Sequence, residues 1–152
     1  MKKKGFTLIE LIIVLLLAGL AVSLVTPSLF RLSKTAELRG MAQKISAILR
    51  YCRSESIHKR QVYQVLFDSH QREVRVRSME DEKVTRRYAL PEGIQIEEVK
   101  IPSPQYLTEV PTIEFYPNGG SNGGSILVGS RDRKGYMIKV HFLTGIVEIE
   151  KV

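Results

Sequence analysis

The stretch that decides the fold is Lys2-Lys3-Lys4-Gly5-Phe6-Thr7-Leu8-Ile9-Glu10, together with the apolar run that follows it to Val25. The apolar run has about twenty residues, the length that a helix needs to cross a bilayer core of roughly 30 Å. Lysines that flank a membrane helix stay on the cytoplasmic side. We therefore expect the N-terminus in the cytoplasm and the rest of the chain outside it.

Glu10 is the only ionisable residue in this run and lies one turn from its start. A bare carboxylate in a membrane helix costs about 2.5–3.5 kcal/mol or more, so Glu10 requires a partner. A secretory signal has its small-residue cleavage site after the apolar run, whereas here the small residue, Gly5, precedes it. Cleavage after Gly5 removes the charged leader and creates a terminal ammonium at Phe6, near Glu10. Two opposite charges in apolar surroundings have a lower free-energy cost when they are paired than when each is alone.

The sequence Gly5-Phe6-Thr7-Leu8-Ile9-Glu10-Leu11 closely resembles the prepilin peptidase signal of type IV pilins and type II secretion pseudopilins. The resemblance implies that prepilin peptidase cleaves after Gly5 and N-methylates Phe6. It also implies that Glu10 pairs with the terminal amine of a neighbouring subunit during filament assembly, and that Pro27 kinks the helix. An uncleaved signal anchor is the alternative, but it leaves the placement of both Gly5 and Glu10 unexplained.

Length and composition indicate one membrane helix and one compact domain in a chain of 152 residues. The formal net charge is +7, but three of the 23 basic residues lie in the leader, which leaves 20 basic against 16 acidic side chains in the mature chain. A single cysteine, Cys52, excludes an intrachain disulfide and cysteine-rich zinc sites. We predict residues 1–5 as the cleaved leader, 6–27 as the transmembrane helix, and 28–152 as a periplasmic domain that includes the second half of the helix.

From Ser28 to about Arg60, the spacing of apolar residues predicts that the helix continues with one apolar face. This apolar stripe comprises Leu38, Met41, Ile45, Ile48, Leu49 and Cys52. Charged residues lie largely between these positions, as on a solvated face, namely Arg39, Lys44, Arg50, Arg53 and Glu55. A sheet is needed to cover such a stripe. We interpret Cys52 as a small buried hydrophobe and not as a reactive thiol.

Beyond the helix, the periodicity is that of β-strands. Strands are predicted at Val62–Asp68, Val74–Arg77, Val84–Ala89, Ile94–Ile101, Ile113–Tyr116, Ser125–Val128, Tyr136–Phe142 and Ile146–Glu150. The Gly/Asn-rich segment after Tyr116 is predicted to be a flexible hairpin loop in which glycines permit positive φ. The predicted fold class is α+β, with the long N-terminal helix packed on a largely antiparallel β-sheet. This agrees with the pilin-like fold that the resemblance implies.

Two later stretches, Leu49–Ile57 with the strand after it and Phe115–Gly124, resemble parts of H-class minor pseudopilins and related minor pilins. No nucleophile motif or metal-ligand spacing is present, and the Gly-rich segment matches neither the P-loop nor the dinucleotide-binding pattern. We therefore predict no enzymatic activity, no cofactor and no metal. Major pseudopilins often bind calcium near the C-terminus through clustered acids; here only Asp132 lies in that region, so we predict no calcium site there.

A candidate basic patch comprises Arg75 and Arg77 on one predicted strand and Arg86, Arg87 and Tyr88 on the next. Such a patch can contact a DNA backbone. Because charge runs are usually solvated, we expect a solvated sheet face or a contact with an acidic partner subunit, and no nucleic-acid binding.

The functional prediction is a non-enzymatic minor pseudopilin of a type II secretion system, which helps export folded proteins across the outer membrane. We expect a single-pass protein of the bacterial inner membrane that is incorporated into a periplasmic pseudopilus. Its expected partners are prepilin peptidase, the inner-membrane assembly platform and other pseudopilins, which it contacts through their N-terminal helices. One alternative is a minor pilin of a type IV pilus that serves assembly, adhesion or DNA uptake. Another is a membrane-anchored periplasmic binding module that does not polymerise.

Overall fold

A computed structural model describes residues 7–80, 86–102, 110–130 and 133–152, with the backbone alone for 22–34, 133 and 134. The chain divides into two compact units, Met1–Glu37 and Leu38–Val152. Gly5, Phe6 and Asp132 lie outside the described residues, and their predicted roles stay predictions.

One helix, α1, spans Leu8–Lys59 and is continuous through position 27. Thr7 caps its start: the Thr7 Oγ1 accepts a hydrogen bond from the Glu10 N–H at 3.3 Å, and the Thr7 carbonyl accepts one from the Leu11 N–H at 3.2 Å. A threonine followed three residues later by a glutamate is the capping-box pattern of helix starts. The kink at Pro27 stays a prediction.

The first part of α1 is apolar on every face, and its large side chains between Leu8 and Leu20 are 53% to 79% exposed. Among the residues that the structure describes, no helix combines the length and the hydropathy needed to cross a membrane. The transmembrane helix at 6–27, which lies partly outside those residues, stays a prediction.

The described strands of the second unit form two four-stranded sheets, in which every strand pair is antiparallel. The strands are β1 Tyr63–Asp68, β2 Glu73–Ser78, β3 Arg86–Ala89, β4 Ile94–Lys100, β5 Thr112–Phe115, β6 Gly124–Ser130, β7 Arg133–Val140 and β8 Val147–Lys151. The strand orders are β3-β2-β1-β5 and β4-β6-β7-β8. The prediction of an α+β fold with antiparallel strands is confirmed, and the structure adds that these strands are divided between two sheets.

The core of the second unit joins α1 to the strands. The whole predicted stripe of α1 is buried, with exposed fractions between 0% and 6%. It forms one cluster with inward-facing strand residues, among them Val65, Phe67, Phe115, Ile126 and Ile138. Full burial of a valine, leucine, isoleucine, phenylalanine or methionine side chain contributes about 1.5–3 kcal/mol to the free energy of folding. The helical periodicity therefore predicted the buried face correctly.

Cys52 lies in this core with no exposed surface. The pKa of its thiol is raised to about 12, chiefly by burial and also by nearby Glu55, while Arg86 acts in the opposite direction. Because the thiolate is the reactive form, we expect the native protein to resist a thiol reagent such as dithionitrobenzoate at about pH 8, and the guanidinium-unfolded protein to react at once. Absorbance of the released thionitrobenzoate measures both rates. Rapid stoichiometric reaction of the native protein would contradict the interpretation of Cys52 as a structural residue.

Candidate functional site

The first candidate site is the N-terminal turn of α1, which contains Glu10. Its neighbours Leu8, Ile9 and Leu11 are 79%, 67% and 55% exposed, and Glu10 is also exposed. Within the described part of the chain, no ion pair includes the Glu10 carboxylate. A carboxylate in the first helical turn lies at the positive end of the helix dipole, which stabilises it by about 0.3–1 kcal/mol. The turn thus presents an acid, ordered by its own helix, to any molecule that packs against this apolar surface.

The second candidate site is the Gly/Asn-rich segment between β5 and β6. These two strands belong to different sheets, so the segment is a connection between sheets and the prediction of a hairpin loop was wrong. All residues from Gly119 to Gly123 are buried. The predicted positive φ is confirmed at Gly119, Gly123 and Gly124, with values of 85°, 71° and 149°.

Asn122 fixes this segment against the outer edge of β5. Its Oδ1 accepts a hydrogen bond from the Glu114 N–H at 2.9 Å, and its Nδ2 donates to the Thr112 carbonyl at 3.0 Å. The Asn122 N–H donates to the Glu114 carbonyl at 3.2 Å, and Ser121 forms a β-bridge with Phe115. The Asn122 side chain and backbone therefore occupy positions that a further strand would need, which closes this edge of the first sheet.

Polar side chains of α1 hold the segment and the neighbouring strands by their backbone carbonyls. Arg50 donates to Val147 at 3.1 Å, Arg53 to Gly119 at 3.2 Å and to Thr144 at 2.8 Å, and Ser56 to Tyr116 at 3.1 Å. Arg53, predicted on a solvated face, is only half-exposed, because its guanidinium joins the Gly-rich segment to the β7–β8 turn. A hydrogen bond from a charged donor such as Arg50 or Arg53 is worth about 1.5–3 kcal/mol, and less where it is exposed, as at Thr144.

The structure divides the predicted basic patch between the two faces of the first sheet. Arg87 lies opposite Arg75 on the outer face, whereas Arg86 lies opposite the buried Val76 on the inner face. Arg86 stacks over the Tyr51 ring of α1 at 5.4 Å from its centroid. The five residues therefore do not form one surface.

Acidic and polar side chains also contact two arginines of the outer face, Arg75 and Arg77. The Arg75 guanidinium contacts Asp68 at 2.7 Å and Glu73 at 3.3 Å. The Arg77 Nε donates to the Gln64 Oε1 at 2.6 Å, and the Gln64 Nε2 in turn donates to the buried Glu114 carboxylate at 2.6 Å. Sequence reasoning missed this network, although the alternation of Val74-Arg75-Val76-Arg77 along β2 indicated a half-buried strand with a polar outer face.

Comparison with known proteins agrees with the described features. The family described as the prokaryotic N-terminal methylation motif matches residues 1–26. The minor pseudopilin EpsH from the Type 2 Secretion System of Vibrio cholerae has a similar structure, with 15% identity, 76% of this chain and 97% of that chain covered, and a TM-score of 0.59. The type IV minor pilin FimU of Pseudomonas aeruginosa is also similar, with 15% identity, coverage of 77% and 90%, and a TM-score of 0.58. No curated protein sequence matches the chain.

The methylation motif includes the leader, Gly5, Phe6 and Glu10, the residues on which the sequence resemblance rests. At 15% identity the likeness to EpsH and FimU establishes the fold, in which a long N-terminal helix packs on antiparallel sheets. The superfamily predicted from the sequence is supported by both findings together: the chain carries the prokaryotic N-terminal methylation motif, and its fold is like that of a minor pseudopilin and a minor pilin.

Proposed function

We propose that the protein is a minor pseudopilin of a type II secretion system, a non-enzymatic structural subunit of the periplasmic pseudopilus. The observation that supports this best is that a prepilin-type motif at residues 1–26 precedes a domain with the fold of EpsH. EpsH is a minor pseudopilin, and this chain covers 97% of its structure. In this role residues 1–5 are the leader, 6–27 span the inner membrane, and 28–152 form the periplasmic part.

The chemistry of assembly follows from the N-terminal residues. Prepilin peptidase cleaves the bond after Gly5 and methylates the new amine of Phe6, which remains a cation. A charge left alone in apolar surroundings is costly, so assembly favours the register in which this cation lies beside Glu10 of a neighbouring subunit. The exposed apolar side chains from Leu8 to Leu20 supply the surface by which the helices pack. Each added subunit lengthens the filament, which helps to push folded proteins through the outer-membrane channel.

A minor pilin of a type IV pilus is the second candidate. The likeness to FimU favours it, because its TM-score of 0.58 and identity of 15% nearly equal those of EpsH. A membrane-anchored binding module that does not polymerise is the third candidate.

A deletion strain distinguishes the three functions. We expect loss of exoprotein release while surface pili and twitching remain intact. Loss of pili or of DNA uptake with normal secretion would instead support the minor pilin. If secretion and piliation were both normal in a strain without related subunits, the binding module would be favoured.

Substitution of Glu10 tests the assembly chemistry separately. We expect the Glu10→Gln subunit to be processed normally. Its amount in the filament fraction should fall more than about tenfold, because glutamine keeps the shape of the side chain and loses its charge. Quantitative immunoblots of the crosslinked filament fraction measure incorporation. Normal incorporation of Glu10→Gln would contradict the charge pairing.

Substitution of Gly5 tests the processing step. Gly5→Ala should be cleaved, whereas a bulky residue, as in Gly5→Leu, should leave residues 1–5 attached. Mass spectrometry of the purified chain reads the N-terminus directly. A Gly5→Leu chain that begins at Phe6 would contradict processing by prepilin peptidase.

A further inference from the structure

Among the described strands, β8 lies at the outside of the second sheet and pairs only with β7. At its two ends, the His141 N–H donates to the Ile146 carbonyl and the Val152 N–H donates to the Gly135 carbonyl, both at 3.0 Å. Alternate residues of an antiparallel strand bond to the same neighbour. The residues with even numbers from 146 to 152 therefore direct their backbone groups to β7, and the residues between them direct theirs outward.

The contact of Val147 agrees with this alternation, because its outward carbonyl accepts the hydrogen bond from Arg50 at 3.1 Å. The next outward residues are Ile149 and Lys151. Among the described residues, none forms a hydrogen bond with the backbone groups of these two. The second sheet thus ends in two consecutive positions at which a further strand can bond.

A groove of about 440 Å³ lies beside these positions, lined by Arg39 and Gln43 of α1 and by Tyr136, Ile149 and Lys151 of the sheet. Tyr136 and Ile149 are half-buried, and the two cations are exposed. The acids of β8 alternate to the opposite face, where Glu148 contacts His141 at 3.4 Å and Glu150 contacts Lys139 at 2.7 Å. Every charged residue that lines the groove in the described part of the chain is therefore a cation.

The other sheet edges are less suited to accept a strand. Asn122 closes β5, a bulge between Ile96 and Glu98 interrupts β4, and the described part of β3 has four residues. Bulges and very short strands are common protections of sheet edges. Among the described edges, β8 combines outward backbone groups with an adjacent groove.

We propose that the outer edge of β8 is a docking site for an extended segment of a partner protein that carries carboxylates on alternate residues. The segment adds to the second sheet as a strand and bonds to the backbone of Ile149 and Lys151, which provides affinity. Side chains of a strand alternate between faces, so alternate carboxylates all reach the groove side and meet Arg39 and Lys151. This surface goes beyond the proposed filament role and is independent of which filament the subunit joins.

Amide hydrogen exchange of the full chain in detergent micelles tests the proposal. The probe is a synthetic peptide of about eight residues that alternates glutamate and threonine. At saturating peptide we expect the amides of Ile149 and Lys151 to exchange at least about tenfold more slowly. The amides of Glu148 and Glu150, already bonded to β7, serve as internal controls and should change little. Unchanged exchange at Ile149 and Lys151 would overturn the proposal.

Two variants at one position isolate the strand hydrogen bonds. Lys151→Pro and Lys151→Ala both remove the cation, but only the proline removes the outward N–H, which β7 does not use. We expect the peptide to bind Lys151→Pro at least about tenfold more weakly than Lys151→Ala. Equal affinities would overturn strand addition. Arg39→Glu should also weaken binding, and affinity equal to that of the unsubstituted chain would overturn the acidic character of the partner.

Discussion

Replacing Gly145 with alanine is expected to destabilise the folded domain by about 3 kcal/mol or more. Gly145 has φ +61°, and a Cβ at this position would lie 2.6 Å from the Gly119 carbonyl oxygen and 3.1 Å from the Arg53 Nε. These two atoms are hydrogen-bonded to each other at 3.2 Å. Making room for the methyl group therefore disturbs the contact that joins the β7–β8 turn to the Gly-rich segment and to α1.

Gly93→Ala is the matched control for this experiment. Gly93 also has a left-handed backbone, with φ +83°, but a Cβ there meets no atom within 4 Å. Backbone strain alone predicts a loss of only about 1 kcal/mol. Denaturant titration of both variants gives the two free energies of unfolding, and their difference measures the steric overlap. Equal losses at the two positions would contradict a tight packing of Gly145 against Gly119.

Asn122→Ala is expected to reduce stability by about 2–5 kcal/mol, because it leaves two backbone groups at the closed edge of β5 without partners. These are the Glu114 N–H and the Thr112 carbonyl, which now bond to the Asn122 side chain at 2.9 Å and 3.0 Å. Asn122 is only 7% exposed, so water cannot easily replace the amide. Thermal denaturation should show a fall in Tm on the order of 10 °C, and the Glu114 amide should exchange faster.

Asn118 provides the control, since it is the other asparagine that precedes a glycine in the same segment. It is exposed, and its Oδ1 accepts one local hydrogen bond, from the Gly120 N–H at 3.0 Å. Loss of such a bond costs about 0.5–1.5 kcal/mol. If Asn118→Ala and Asn122→Ala shifted Tm equally, the closure of the β5 edge by Asn122 would be refuted.

Local periodicity predicted the elements of the fold but could not predict how the strands combine. The spacing from Leu38 to Cys52 indicated the buried helix face because each turn of a helix repeats the same environment. Strand β5 instead pairs back to β1, and β4 pairs with β6. These pairings join segments far apart in sequence, and no local pattern in the strands specifies such a choice.

The same distinction applies to the candidate sites. The motif around Gly5 and Glu10 could be predicted because its residues lie within one short stretch. The hydrogen bond from the Glu10 N–H to the Thr7 side chain likewise spans only three residues. The acceptors of Arg53 are 66 and 91 residues away along the chain, so its role was not visible. The separation of Arg86 and Arg87, by contrast, could have been predicted from the sequence. Consecutive residues of a strand point to opposite faces of the sheet, and the interpretation of both arginines as one patch overlooked this alternation.

The contacts of α1 with backbone carbonyls also bear on how this sequence can change over evolution. A carbonyl is the same acceptor whatever side chain its residue carries, so substitutions at 116, 144 or 147 leave the hydrogen bonds from Ser56, Arg53 and Arg50 available. The constraint falls on a few donors and on glycines such as Gly145 that permit the close approach. A domain held in this way can exchange most of its sequence and keep its chain path, in agreement with a fold shared with EpsH at 15% identity.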